Sequence, residues 1–335
     1  MASKEEDATS QDLSLVSSLL EQKPIPHFGL RASRAARNPT STKSPAVGDM
    51  IKSSISPADI PHLREQWFEK YSELFGPSPL ELPPFREVNH RLPWINDEIR
   101  YNYHLPRCPE ALQDELRQKI TRYTAAGWWE MKAVFQAAPL LCVPKKSRKL
   151  RTVVDARKRN DNTFKDVTPF PDQDQIRMDV ARAKYRTKID MSDAYEQIRI
   201  EPSDIWKTAF ATILGTFVSH VMQQGDCNAP ATFQRLMTWV FREYIGIFIR
   251  VYLDDVFVYS DNLEDHEKHL EIAFGVLQEH RLFLSRSKCD LYSEDMDCLG
   301  HRIDDQGLHA DSDKMARICE WRPVMIPGKY IYNSG

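Results

Sequence analysis

The sequence predicts an α+β fold in which helices and short strands alternate irregularly. Apolar residues recur at helical spacing in several segments, and short runs rich in β-branched and aromatic residues lie between them. The order of these segments lacks the regular strand–helix–strand repeat that is typical of a doubly wound parallel sheet. The 335 residues are therefore expected to form layers of helices packed on antiparallel strands.

The composition excludes several classes of protein. The chain is 41% hydrophobic and 28% charged and has a net charge of −3, which is ordinary for a folded soluble protein. No apolar run approaches the ~18 residues of a membrane span, so we expect no membrane partner. The N-terminus lacks a basic and then apolar leader, and the six cysteines lack zinc-site spacing, so secretion and a structural zinc site are not predicted.

Four regions follow from changes in composition along the chain. Residues 1–55 are rich in Ser, Pro and Lys without an apolar period, and are predicted to be a disordered linker. Residues 56–105 are expected to form an N-terminal extension, residues 106–322 the main folded region, and residues 323–335 an atypical tail. Charge is also distributed unevenly along the chain. Residues 143–160 contain eight basic residues and one acidic residue, whereas residues 261–320 contain fifteen acidic and seven basic residues.

Helices and strands are predicted from periodicity. Apolar stripes predict one helix within 56–76, stopping at Gly76, and a second after Pro109, stopping at Gly127. Two further helices are expected within 229–245 and 266–280, and a hairpin within 247–260. Short strands are expected in the runs VFQAAPLLCVP, KLRTVVDA, YRTKIDM, QIRI and KTAFATI.

Three aspartates at strand ends are the candidate catalytic residues. Asp190 ends the run TKIDM, and Asp254 and Asp255 lie together at the tip of the predicted hairpin. Adjacent aspartates between two strands are most often just a turn. A third aspartate at the end of another core strand instead favours a site for Mg²⁺, which takes carboxylate oxygens together with substrate phosphates. Two such ions could support phosphoryl transfer.

Five segments, in order along the chain, resemble the motifs of reverse transcriptases. Tyr252-Leu253-Asp254-Asp255 resembles the Y-x-D-D box, and KIDMSDAYEQIRI (188–200) resembles the first catalytic motif. The other three segments are LRTVVDARKRN (150–160), QGDCNAPATFQ (224–234) and CLGHRIDDQGLHADSDKMARICEW (298–321). Together they are similar to the enzymes of gypsy-type LTR retrotransposons. The resemblance implies a right-hand polymerase fold with fingers and palm in residues 106–322 and only the start of a thumb, since VMIPGKYIYNSG does not resemble the family's continuation.

The resemblance implies a role for each matching residue. Asp190, Asp254 and Asp255 would be catalytic and hold Mg²⁺, with Mn²⁺ as an alternative, and Met191 would offer a backbone carbonyl. Tyr195 would exclude ribonucleotides, and Gln224 and Arg151 would contact the incoming nucleotide. Lys145 or Lys146 would contact its γ-phosphate, and the choice between them stays open. Leu299, Gly300 and His301 would grip the primer terminus.

The expected function is RNA-directed DNA polymerase, a nucleotidyltransferase. Its partners would be a primed RNA or DNA template and deoxynucleoside triphosphates. The family works in cytoplasmic virus-like particles, with the nucleus as the alternative location. Two other functions compete with this interpretation. One is an inactive, truncated remnant that at most binds nucleic acid. The other is an RNA-dependent RNA polymerase, disfavoured by Tyr195 and by Tyr-Leu, rather than Gly, before the aspartate pair.

Overall fold

The computed structural model describes residues 58–76, 79–101, 106–144, 149–310 and 315–316. The predicted linker and the predicted tail lie outside these residues. The helices are α1 (Ile60–Lys70), α2 (Gln113–Ala125), α3 (Arg157–Asp161), α4 (Gln173–Arg182), α5 (Ala229–Val240) and α6 (Leu263–Glu279). The strands are β1 (Trp129–Met131), β2 (Ala138–Pro144), β3 (Leu150–Val154), β4 (Tyr185–Asp190), β5 (Phe210–Thr212), β6 (Gly215–Ser219), β7 (Ile249–Tyr252), β8 (Asp255–Ser260), β9 (Met296–Cys298), β10 (His301–Asp304) and β11 (Gly307–Ala310).

The strands form three sheets, and the predicted α+β class is confirmed. The first sheet has the order β1-β6-β5-β2-β3, the second β4-β8-β7 and the third β11-β10-β9. Every strand pair is antiparallel except β2 with β5, which is parallel. The chain passes between the sheets through helices and irregular segments, as expected from the uneven alternation in the sequence.

The sheet β4-β8-β7 packs against α5, α6 and α1 in the largest of three cores among the described residues. Phe233 of α5 and Phe274 of α6 are fully buried there. The aromatic rings of Trp67 on α1 and of Tyr71, the residue that follows this helix, lie 5.7 and 5.2 Å from the ring of Phe274. Burying side chains of this size contributes about 1.5–3 kcal/mol each. Helix α1 is therefore part of this core, although it lies far away in the sequence.

The five-stranded sheet packs against α2 in the second core. Tyr123 on α2 contacts the rings of Trp128 and Trp129, each at 4.8 Å, and Trp129 contacts Phe210 of β5 at the same distance. Such edge-to-face aromatic pairs stabilise a fold beyond the area that they bury. This core holds β3, which carries part of the basic segment, against the rest of the molecule.

The structure confirms most of the predicted elements and corrects one. Helices lie within 56–76, 109–127, 229–245 and 263–279, and the hairpin is formed by β7 and β8. The run QIRI is not a regular strand, because Arg199 and Ile200 form only isolated bridges. Helix α4 and the sheet β11-β10-β9 were not predicted. No helix among the described residues is long and apolar enough to cross a membrane.

Candidate active site

The ends of β4 and of the β7–β8 hairpin bring the three aspartates together. Asp190, the last residue of β4, lies directly opposite Asp255, the first residue of β8. Asp255 also pairs with Tyr252 of β7, so Leu253 and Asp254 form a two-residue turn. Asp190 is buried, with 8% of its surface exposed, and Asp255 is only partly exposed. The hairpin therefore concentrates three carboxylates at one end of a buried sheet.

The turn that carries Asp254 is conformationally unusual. Leu253 has a φ of +54°, in the left-handed region that non-glycine residues rarely adopt. Gln234 on α5 is fully buried, and its side-chain oxygen accepts a hydrogen bond from the Leu253 backbone N–H at 2.8 Å. The Gln234 amide also donates to the carbonyl of Val251 at 3.5 Å. Helix α5 thus holds the hairpin in this strained turn.

Two lysines contact the carboxylates. Lys288 Nζ lies 3.0 Å from Asp190 Oδ1, and Lys188 Nζ lies 3.1 Å from Asp255 Oδ2. Burial raises the pKa of the Asp255 carboxyl, Lys188 opposes this, and the charges of Asp254 and Asp190 add to the rise. The three carboxylates therefore repel one another electrostatically, and the lysines offset part of that repulsion.

The donor chemistry of this end of the sheet fits a hard divalent cation. Among the described residues, no group of three or more His, Cys, Asp or Glu side chains converges closely enough to hold a metal ion by itself. Mg²⁺, however, usually keeps several waters and takes one or two carboxylates plus substrate phosphates. Asp190 and Asp254 supply carboxylates of that kind, so the residues present fit a site that substrate would complete.

Tyr195 lies beside the carboxylates on a short 3₁₀ helix, Ala194–Gln197. Its ring packs 6.1 Å from that of Phe233, and its pKa is raised by burial and then by the charges of Asp254 and Glu196. Met191, the residue after Asp190, is buried and forms an isolated bridge with Leu284. The structure thus places both residues next to the aspartates, while their proposed roles stay predictions.

Gln224 is hydrogen-bonded to β3, the strand that also carries Arg151. The carbonyl of Gln224 accepts a hydrogen bond from the Val154 N–H of β3 at 3.3 Å, and Arg151 is exposed on the same strand. Gly225 has a φ of +115°, and a Cβ there would lie 2.4 Å from the Val154 carbonyl oxygen. Only glycine allows this close approach. Lys145 and Lys146 lie outside the described residues.

The predicted primer grip forms the turn between β9 and β10. Leu299 and Gly300 have φ values of +51° and +74°, which are typical of a type I′ hairpin turn. The Leu299 carbonyl accepts a hydrogen bond from Arg177 of α4 at 3.3 Å, and His301 begins β10. Strand β9, which precedes this turn, is linked to the aspartates through Lys188. The Lys188 Nζ that contacts Asp255 also donates to the carbonyl of Asp297 at 3.4 Å.

The basic segment divides into exposed and buried parts. Arg157 is exposed, and its guanidinium donates to both carboxylate oxygens of Asp155 at 2.7 Å. Lys149, Arg151 and Lys158 are exposed too. Arg159 is instead buried and ion-paired with Asp226, so it cannot contribute to a phosphate-binding surface. The exposed cations leave a smaller basic surface than the sequence count suggests.

Lys188, Lys288 and Gln234 belong to this site but were not singled out from the sequence. Lys188 lies two residues before Asp190, and the alternation of side chains along a strand puts both on one face of β4. A lysine within an apolar strand was the available signal. Gln234 ends the segment QGDCNAPATFQ, but its hydrogen bond to Leu253 depends on the packing of α5 against the hairpin, which periodicity does not reveal.

Comparison with known proteins places these residues in a family. Residues 143–303 match the family model described as "Reverse transcriptase (RNA-dependent DNA polymerase)". The match includes the three aspartates, Tyr195 and Gln224. The chain contains a reverse transcriptase domain. This domain carries the carboxylates at the end of its β4-β8-β7 sheet.

The chain is similar in sequence to polyproteins of transposons. It is 34% identical over 240 residues to the Retrovirus-related Pol polyprotein from transposon opus of Drosophila melanogaster, covering 68% of this chain and 24% of that polyprotein. It is 29% identical over 237 residues to the Transposon Tf2-3 polyprotein of Schizosaccharomyces pombe, covering 70% of this chain and 17% of that polyprotein. The chain thus spans about a quarter or less of the length of these relatives.

The fold of the reverse transcriptase domain is also found in solved structures. The foamy viral protease-reverse transcriptase in complex with dsDNA has a TM-score of 0.71 at 23% identity, covering 81% of this chain and 56% of that chain. The same viral protein in complex with an RNA/DNA hybrid has a TM-score of 0.68 at 22% identity, covering 80% and 36%. These similarities support the fingers-and-palm architecture.

Proposed function

We propose that this chain is an RNA-directed DNA polymerase that adds deoxynucleotides to a primer 3′-OH. The observation that carries the proposal is the placement of Asp190 opposite Asp255, with Asp254 in the turn beside them. The match to the reverse transcriptase family supports it. Because the family depends on divalent cations, we propose Mg²⁺ as the cofactor and Mn²⁺ as a substitute.

In this proposal each residue has a defined task. Asp190 and Asp254 would hold the cation, and the bound cation would supply positive charge for the attacking hydroxyl and for the phosphates. Asp255 would add a third negative charge beside the cation, and the backbone carbonyl of Met191 would add a neutral oxygen. The Tyr195 ring blocks a ribose 2′-OH. Arg151, whose guanidinium is planar, contacts the base and phosphates of the nucleotide, and the Gln224 side chain contacts its sugar.

The proposed substrates are a primed RNA or DNA template and deoxynucleoside triphosphates. Foamy viral reverse transcriptase has been solved with dsDNA and with an RNA/DNA hybrid, which supports a nucleic acid partner for this chain. Lys149, Arg151 and Arg157 provide exposed cations for template phosphates. Leu299, Gly300 and His301 would contact the primer end. We further propose a gypsy-type LTR element as the source, on the combination of five motifs, and cytoplasmic virus-like particles as the location.

Primer extension on poly(rA)/oligo(dT) with dTTP and Mg²⁺ or Mn²⁺ tests this function. The wild type is expected to extend the primer, and Asp254→Asn is expected to lose at least about 100-fold, because a carboxylate ligand becomes a neutral amide. Asp261→Asn, the same change at an exposed position just after β8, is the matched control and should retain full activity. Folding of each variant is checked by circular dichroism.

Two outcomes would contradict the proposal. Folded wild type that adds no nucleotide with either cation would indicate a remnant without catalysis. Equal use of UTP and dTTP by the wild type would instead favour an RNA polymerase, since Tyr195 should exclude ribonucleotides. Tyr195→Ala is expected to raise UTP use relative to dTTP by about tenfold or more, because the ring that excludes the 2′-OH is gone.

A further inference from the structure

Lys188 differs from an ordinary surface lysine in its surroundings. Its side chain is 16% exposed and its Nζ lies 3.1 Å from Asp255 Oδ2. The same Nζ donates to the carbonyl of Asp297 on β9 at 3.4 Å and lies 5.7 Å from the centre of the Phe257 ring. Withdrawing an ammonium group from water is costly unless the group is paired and hydrogen-bonded, and this partly buried ammonium has both kinds of partner.

The backbone fixes Lys188 in this position. Its N–H donates to the Asp290 carbonyl at 2.9 Å, and its carbonyl accepts from the Asp290 N–H at 2.8 Å. On the other side it pairs with Phe257 of β8. Strand β4 is therefore flanked at Lys188 by Asp290 on one edge and by Phe257 of β8 on the other, so the side chain starts from a constrained backbone.

Lys288, the other lysine at the site, lacks this constraint. Its side chain is 62% exposed, and it contacts Asp190 from an irregular segment after Leu284. An exposed lysine can leave a carboxylate at little cost, since such ion pairs contribute only about 0–1 kcal/mol. A cation can therefore displace Lys288 from Asp190, whereas Lys188 stays on Asp255.

We propose that Lys188 is a positioning residue that holds the Asp255 carboxylate against β9 and leaves Asp190 and Asp254 as the carboxylates open to a divalent cation. The inference rests on the proposed function and deepens it. It also ties the second aspartate of the hairpin to the strand that leads into the predicted primer grip. One ammonium group thus sets which carboxylates are available and joins them to the primer-contacting turn.

Mn²⁺ binding to the metal-free protein, measured by the loss of the free-ion signal in electron paramagnetic resonance, tests the proposal without any catalysis. Asp190→Asn and Asp254→Asn are expected to weaken binding at least about tenfold, and Asp255→Asn less than about threefold, because Lys188 already occupies that carboxylate. Lys188→Met should tighten binding about threefold or more, since it frees Asp255 and removes a nearby positive charge.

Further variants distinguish the role of the Lys188–Asp255 ion pair from a general loss of stability. The double variant Lys188→Met/Asp255→Asn leaves neither charge unpaired, so it should fold and bind Mn²⁺ within about twofold of Asp255→Asn alone. Lys188→Arg should keep the wild-type affinity, because a guanidinium can contact the same two oxygens. Lys184→Met, at an exposed position just before β4, is the matched control and should change nothing.

Primer binding gives a second readout. In EDTA, the dissociation constant of a labelled primer–template should rise about threefold or more in Lys188→Met and in the double variant, because β9 loses its anchor, but not in Lys184→Met. The proposal would be overturned if Asp255→Asn lost as much Mn²⁺ affinity as Asp254→Asn. Unchanged Mn²⁺ binding in Lys188→Met would also overturn it. An inactive wild type would contradict the polymerase function instead, and both binding experiments would still decide the role of Lys188.

Discussion

Gln234 lies on α5 with its side chain fully buried against the hairpin. Its oxygen accepts from the Leu253 N–H at 2.8 Å, which is a backbone donor in a turn with positive φ. A buried donor left without a partner costs about 1–3 kcal/mol. This neutral side chain therefore fixes the backbone of the turn that carries Asp254.

Replacing Gln234 tests that dependence. Gln234→Leu keeps the approximate volume but removes the acceptor, so we expect the free energy of unfolding to fall by about 1–3 kcal/mol and primer extension to fall at least about tenfold. Urea denaturation and dTTP incorporation measure the two effects. Gln278→Leu, on the exposed side of α6, is the matched control. Normal primer extension by a folded Gln234→Leu protein would show that the Leu253–Asp254 turn keeps its conformation without this hydrogen bond.

Glu196 is a buried acid in the wall of the cavity that Gln224 also lines. Its Oε2 has no hydrogen-bond partner among the described residues. Burial raises the pKa of the Glu196 carboxyl from 4.5 to about 7, while Lys119 opposes the shift and Asp193 adds to it. The folded state therefore holds a proton that the unfolded chain releases at lower pH.

This pKa shift predicts a pH dependence of stability. A raised folded-state pKa favours the folded protein below pH 4.5, and that advantage is lost as the pH rises to about 7. The Glu196→Gln variant has no carboxyl to ionise and therefore avoids this loss of stability. Its free energy of unfolding should exceed that of the wild type by as much as about 3 kcal/mol at pH 8, with no gain at pH 4. Urea denaturation at both values measures this, with exposed Glu279→Gln as the control. An equal gain at both pH values would exclude titration of Glu196 as the cause.

At the scale of elements, helix α6 shows a complete N-terminal cap. The Asn262 side-chain oxygen accepts from the Asp265 N–H at 2.9 Å, and its amide donates to the Asp265 carboxylate at 2.7 Å. The first contact satisfies one backbone donor that a helix start otherwise leaves unpaired, and the second holds the Asn262 side chain in place. The cap lies at the far end of β8 from the aspartates, so it affects stability separately from the site.

Removing the cap should affect stability alone. Asn262→Ala is expected to lower the free energy of unfolding by about 1 kcal/mol, and Asn262→Ser by only a few tenths, because serine also caps well. Thermal and urea denaturation measure the change, and primer extension should remain at the wild-type rate in both variants. Equal stability of the alanine and serine variants would show that the side-chain hydrogen bonds contribute nothing.

The elements differ in how far the sequence predicts them. The β7–β8 hairpin was predictable because its two apolar runs flank a polar turn. Helix α4 was not, since only Ile176, Arg177 and Val180 are buried along its ten residues, which leaves a weak apolar stripe. The strands of the β11-β10-β9 sheet are three or four residues long, and their burial depends on packing against Phe257 of another sheet. Local patterns cannot report such distant contacts.

At the scale of the molecule, a buried charge cluster joins the basic segment to the start of α5. Arg159 on α3 pairs with Asp226, and His90 Nε2 lies 3.6 Å from the other Asp226 oxygen. Burial alone would raise the pKa of the Asp226 carboxyl, but Arg159 and His90 together hold it below its usual value. The sequence showed only an arginine in a basic run and an aspartate within QGDCNAPATFQ, and their pairing required the fold.

This cluster should matter far more than an exposed ion pair. Asp226→Asn leaves the Arg159 charge buried and unpaired, so we expect a loss of about 3–5 kcal/mol in the free energy of unfolding. Glu65→Gln removes the exposed pair with Arg286, 2.6 Å apart, and should cost no more than about 1 kcal/mol. Urea denaturation compares the two variants. Similar costs would mean that the interior around Arg159 is open to water.

Helix α1 has a consequence for how this domain could be exchanged between genomes. Trp67 and Tyr71 are part of the core beneath the aspartates, yet they lie well before residues 143–303, the part that the family model matches. A recombination event that transferred only residues 143–303 would leave a cavity in place of the Trp67 and Tyr71 rings. That cavity would lower the free energy of unfolding by several kcal/mol. The part of the chain that must be inherited together is therefore larger than the motifs of the domain, and breakpoints that preserve it should fall before α1.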